Sequence, residues 1–160
     1  MARVIQNERS VVVEPWWVKG KIVYIGLGMG LLWWIVTAIL RQYAVEPIAC
    51  RDLSTASACV NSLGVSGSIA AIVVAIVGAY LLVRWIQPRP IVIALSTAVL
   101  LWDLGAFMAG LVWWETALWA LFFYALSYTL FSLVARIHWL ALSLVAAAVV
   151  VILIRLLLVL

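Results

Sequence analysis

The chain has 160 residues, 69% of them hydrophobic and only 10% charged, with a mean hydropathy of +1.26. Soluble domains carry about 45–50% apolar and about 25% charged residues, so this composition excludes an ordinary water-soluble fold. The net charge is +4 and the pI near 9.4, but the basic residues stand singly beside apolar runs; they read as topology signals and exclude a nucleic-acid-binding patch.

Several apolar stretches match the roughly 20 residues that cross a hydrocarbon core of about 30 Å. No strict apolar/polar alternation marks a transmembrane barrel. The expected fold is an all-α integral membrane protein, a bundle of about five helices with no soluble domain attached. The bilayer is its first partner.

Residues 1–20 form a polar start followed by VVVEPWW, where Pro15 breaks any helix and Trp16, Trp17, Lys19 and Lys21 suit an interfacial anchor on the cytoplasmic side. MARVIQNERS does not read as a cleaved signal peptide, so the first span is expected to be a retained anchor. That span is predicted over 21–40. Its Gly26 and Gly30 have G-x-x-x-G spacing, which lets another helix backbone approach closely.

Residues 41–66 are predicted to be an extracytoplasmic loop, with a short helical turn over Ser54–Ala58. The second span, 67–86, carries a small-residue ladder at Gly67, Ala71, Ala75 and Ala79, a second packing face. Pro88 and Pro90 end it. The next 45 residues, Ile91–Ala135, stay apolar for too long to be one crossing, so a hairpin is predicted near Trp113–Thr116. This gives spans over 91–112 and 116–135, with Glu115 and its neighbouring tryptophans in an interfacial belt. A last span is predicted over 139–160.

Orientation follows from the basic residues. With the N-terminus inside, Arg3, Arg9, Lys19, Lys21, Arg84, Arg89 and Arg136 are cytoplasmic, leaving Arg41, Arg51 and Arg155 outside. The expected location is the cell membrane, N-terminus in and C-terminus out. That threading places Cys50 and Cys59 on an oxidising side, where a disulfide closing their loop is expected.

Asp103 is the acid inside an apolar run, at a cost of roughly 2.5–3.5 kcal/mol on insertion scales. It must face protein or a wet cavity. At 1.5 Å per residue from Ile91 it lies about 18 Å from the inner face, level with Tyr124, while Arg155 lies about 24 Å up the last span. An Asp103–Arg155 pair with Tyr124 as hydrogen-bond partner is the plain structural expectation. The functional alternative is a proton or cation site lining a cavity, and a third reading is a neutral, protonated structural Asp.

His138 stands alone, with no spaced ligands for a metal, and no Ser-His-Asp set is within reach. No cofactor is expected. Over Ile48–Ser68, the order of span, polar loop with two cysteines and Gly-starting span resembles the vitamin K epoxide reductase and DsbB-type membrane oxidoreductases. The resemblance implies transfer of electrons from the loop pair to a C-x-x-C pair at a helix end. Here the comparable stretch, Ala120–Ser127, reads ALFFYALS and has no cysteine.

Three classes follow. The first is a non-enzymatic subunit that associates with itself or with another membrane protein through its small-residue faces. The second is a small proton- or cation-linked transporter or channel using Asp103, and the third a thiol-disulfide oxidoreductase using Cys50 and Cys59.

Overall fold

The computed structural model describes residues 16–50, 59, 61–84, 90–135 and 140–159. Expectations for the N-terminal residues before Trp16, for the turn at Ser54–Ala58 and for the QPRP turn up to Arg89 lie outside them, as do those for Arg136 and His138.

All regular structure among the described residues is helical. Helix α1 spans Trp16–Leu40, a π-helical turn covers Arg41–Val45, and α2 spans Glu46–Ala49. Then come α3, Ser62–Arg84; α4, Pro90–Leu100; α5, Leu104–Phe107; α6, Trp113–Val134; and α7, Leu140–Val159. Among the described residues, four stretches are long and apolar enough to cross a membrane: Gly20–Ile48, Ser62–Arg84, Pro90–Phe107 and Trp113–Val134. Helix α7 has 20 residues, apolar except for Ser143 and Arg155, and both ends of the span expected at 139–160 lie outside the described residues.

Two predicted boundaries shift. The first helix does not stop at Leu40 but continues through the π turn to Ala49, so the polar loop is shorter than expected. Pro47 explains the widened turn: its ring crowds the carbonyl four residues back and it has no N–H to donate. Opening the helix by one residue relieves that clash, and the Glu46 N–H donates to Arg41 O instead. The Arg41–Glu46 ion pair, 2.8 Å, bridges the turn on the surface.

Helix α3 begins at Ser62, five residues before the predicted start at Gly67. Its first turns are SLGVSGS, a string that reads as loop. The serines satisfy themselves by donating back along the helix, Ser66 Oγ to Ser62 O at 2.8 Å and Ser68 Oγ to Gly64 O at 3.0 Å. In an apolar setting a hydroxyl needs such a partner.

The core is a seam of α1, α3 and α6. Gly26 and Gly30 lie against the α6 backbone: a Cβ at Gly26 would meet Ala125 Cα at 2.7 Å, and one at Gly30 would meet Leu121 Cα at 2.7 Å. Trp33, wholly buried, donates from Nε1 to Gly67 O at 3.0 Å and so ties α1 to α3. Gly78 of α3 faces the Tyr128 hydroxyl of α6. Helix α7 leans mainly on α4 and more lightly on α6, with Ser143 Oγ donating to Val134 O at 3.2 Å.

Candidate functional site

The third apolar run, predicted as one helix over 91–112, is interrupted. Helix α4 ends at Leu100, three residues of turn follow, and α5 restarts for a single turn at Leu104. Leu101 N–H still donates to Thr97 O at 3.0 Å, but Leu104 N–H bonds to Leu101 O at 3.1 Å, a tighter i−3 bond. Asp103 stands on this break as the residue before α5, with φ −94° and ψ 14°.

The break is held from the side by α3. Gly105 presses onto the Leu63 carbonyl and lies 3.3 Å, measured from where its Cβ would be, from Gly64 Cα. Gly67 meets Gly105 Cα at 3.1 Å from its own missing Cβ. Only glycines on both sides permit such contact, and this close approach bends the run. Ser68 Oγ also reaches Trp102 O at 3.2 Å, giving a carbonyl at the interruption a donor.

The chain reverses at Met108–Val112 rather than at the predicted Trp113–Thr116. Gly110 supplies the left-handed φ of +98° that the reversal uses. Glu115, expected as a solvated belt residue, sits in the first turn of α6 and accepts from Val112 N–H through Oε2 at 3.3 Å. A carboxylate suits a helix start, where the unpaired N–H groups lie.

Asp103 is exposed and lines a groove of about 360 Å³ between the broken run and α6. Leu101, Leu104 and Phe107 form one wall, Phe123, Leu126, Ser127 and Leu130 the other, and Ile154 of α7 closes one side. Among the described residues that line it, the polar side chains are Asp103 and Ser127. The groove is therefore an apolar slot with a carboxylate in its wall.

The other expected members are placed differently. Tyr124 is 1% exposed, with its ring centroid 6.3 Å from that of Trp33 on the glycine seam. Its hydroxyl has no hydrogen-bond partner among the described residues, so it is not the partner of Asp103. Thr37 and Thr97 carry buried hydroxyls of the same kind. The side chain of Arg155 lies outside the described residues, so the expected pair with Asp103 does too.

Of the packing residues, Gly26, Gly30, Gly67 and Ala71 are buried inside the chain, while Ala75 and Ala79 are half-buried. Cys50 and Cys59 are joined in a disulfide with Cα atoms 5.0 Å apart. No group of three His, Cys, Asp or Glu residues capable of holding a metal occurs among the described residues. Sequence reasoning missed Ser127, Ser68 and Gly105. The Asp103-Leu104-Gly105 order was the available signal, since a glycine just past an acid within an apolar run marks a place where backbones can meet.

The chain matches no protein-family model, no curated protein and no solved structure.

Proposed function

We propose that this chain is a small five-crossing protein of the cell membrane that takes up a proton or a small cation at Asp103, as part of a transporter or channel. The observation that carries this reading is the position of the carboxylate: on a break in a membrane-length helix and in the wall of an apolar groove. Interrupted helices turn backbone carbonyls away from their own ladder, and intramembrane acids facing cavities are the usual means of holding protons or cations at depth. Packing alone explains the break less well, because a continuous helix carrying Leu at this position would fill the space without the insertion cost of a carboxylate.

The subunit reading loses its motivation, since Gly26, Gly30, Gly67 and Ala71 already serve contacts within the chain. In the threading that accompanies the proposal, the N-terminus is cytoplasmic and the disulfide loop faces an oxidising compartment. The loop then acts as a staple, and the missing second cysteine pair argues against electron relay.

The test is flux in liposomes. Purified chain reconstituted with a pH-sensitive dye inside, and separately with sodium or potassium gradients, should dissipate at least one gradient faster than protein-free vesicles. Asp103→Asn keeps the size of the side chain and removes its charge; it should reduce that flux at least tenfold while leaving the detergent-solubilised protein equally stable. Equal flux from the variant and the parent would end this reading.

A further inference from the structure

A second recess, of about 420 Å³, lies at the other end of α6 and is lined by Trp114, Glu115, Leu118, Trp119 and Phe122. These residues follow helical spacing, so they share one face over the first turns of the helix. Trp114, Trp119 and Phe122 are each about half exposed, at 48%, 45% and 53%. The Trp119 and Phe122 rings stand nearly perpendicular, 83° apart with centroids 5.9 Å from each other, so they form a corner. Trp119 is braced by stacking on Phe123 at 5.5 Å and 24°.

A corner of ring faces with a carboxylate beside it is complementary to a large, weakly hydrated cation. It is a poor site for a hard metal ion, which needs about six oxygen ligands where this recess offers one side-chain carboxylate. From Trp114 to Phe122 the recess runs about 12 Å along the helix, the depth over which a lipid headgroup gives way to its acyl chains. An interfacial belt of tryptophans anchors a helix without choosing among lipids; the Glu115 charge gives this one a preference, attracting cationic headgroups and repelling net anionic ones.

We infer that this recess binds the trimethylammonium headgroup of a choline phospholipid. The ring faces receive the methyl groups, Glu115 supplies the counter-charge, and the acyl chains run down the exposed face of α6 past Leu118 and Phe122. The recess shares no lining residue with the groove at Asp103, and the inference stands whether or not that groove carries ions.

The experiment is native mass spectrometry of the full chain released from detergent, with phosphatidylcholine, phosphatidylethanolamine or phosphatidylglycerol added at equal concentration. Phosphatidylcholine should be retained most and phosphatidylglycerol least. Trp119→Leu should weaken the phosphatidylcholine adduct about fivefold, whereas Trp119→Phe, which keeps a ring face, should retain most of it. Glu115→Gln keeps the acceptor for Val112 N–H and should erase the preference over phosphatidylglycerol. Equal retention of the three lipids, or retention indifferent to both Trp119→Leu and Glu115→Gln, overturns the inference. Tetramethylammonium or choline chloride binding with this variant pattern, while phosphatidylcholine does not bind, overturns the lipid as the source and leaves a free organic cation in its place.

Discussion

The two sides of this bundle are built on opposite principles. On one, α1 and α6 meet backbone to backbone through Gly26 and Gly30, and the indole of Trp33 packs on Gly67 and donates to its carbonyl, tying α3 to α1. On the other, α4, α5 and α7 enclose a groove against α6, the helix is broken, and a carboxylate faces the space. In the membrane setting proposed for these apolar helices there is little hydrophobic force between them, so close contact and internal hydrogen bonds supply cohesion. The seam supplies it, which leaves the grooved side free to keep a polar group and a gap.

That contrast is breakable. The largest effect is expected at Gly30, where a Cβ would sit 2.7 Å from the backbone of both Ala120 and Leu121. Gly30→Val should destabilise the protein by about 3 kcal/mol, seen as a lower thermal midpoint in detergent. Gly28, on the same helix with nothing within 4 Å of its missing Cβ, is the control. Gly28→Ala should leave the midpoint unchanged or raise it slightly. If both variants behave alike, the seam is not what holds α1 to α6.

A smaller loss is expected from Trp33→Phe. It removes the donor to Gly67 O and leaves a gap in a fully buried place, so about 2 kcal/mol should be lost in the same melting assay. The smallest effect sharpens the comparison by sign. Tyr124→Phe deletes a buried hydroxyl that has no partner among the described residues, and should be neutral or stabilising by up to about 1 kcal/mol. It should also leave the proposed ion flux untouched, because Tyr124 belongs to the seam and does not line the groove. A large loss of stability or flux would place that hydroxyl in a network with the acid.

How much of this was legible in the residues varies from place to place. The helical class and the apolar helices follow from run length and composition, and the Cys50–Cys59 bond from two cysteines in one loop. The break at Leu101–Asp103 was not legible, because hydropathy stays high straight through it. It depends on Gly105 lying against Leu63 and Gly64, a contact between residues about forty apart in sequence. The Ser62 start of α3 was hidden because serine reads as loop until its back-bond to the helix is known. Asp103 stood out as an acid within an apolar run, yet its neighbours did not. Counting 1.5 Å per residue gives the level of Tyr124 but not the side of α6 from which it projects, and it projects toward Trp33.

The π turn at Arg41–Val45 carries a mechanical consequence. By letting the first helix pass Pro47, it makes one rod that ends at the disulfide, with Cys50 N–H bonded to Glu46 O at 2.9 Å. The stapled loop is therefore mounted on a lever rather than hung from a tether. A load applied to the loop is delivered down that shaft to Gly26 and Gly30, where no side chain lies between the rod and α6 to cushion it.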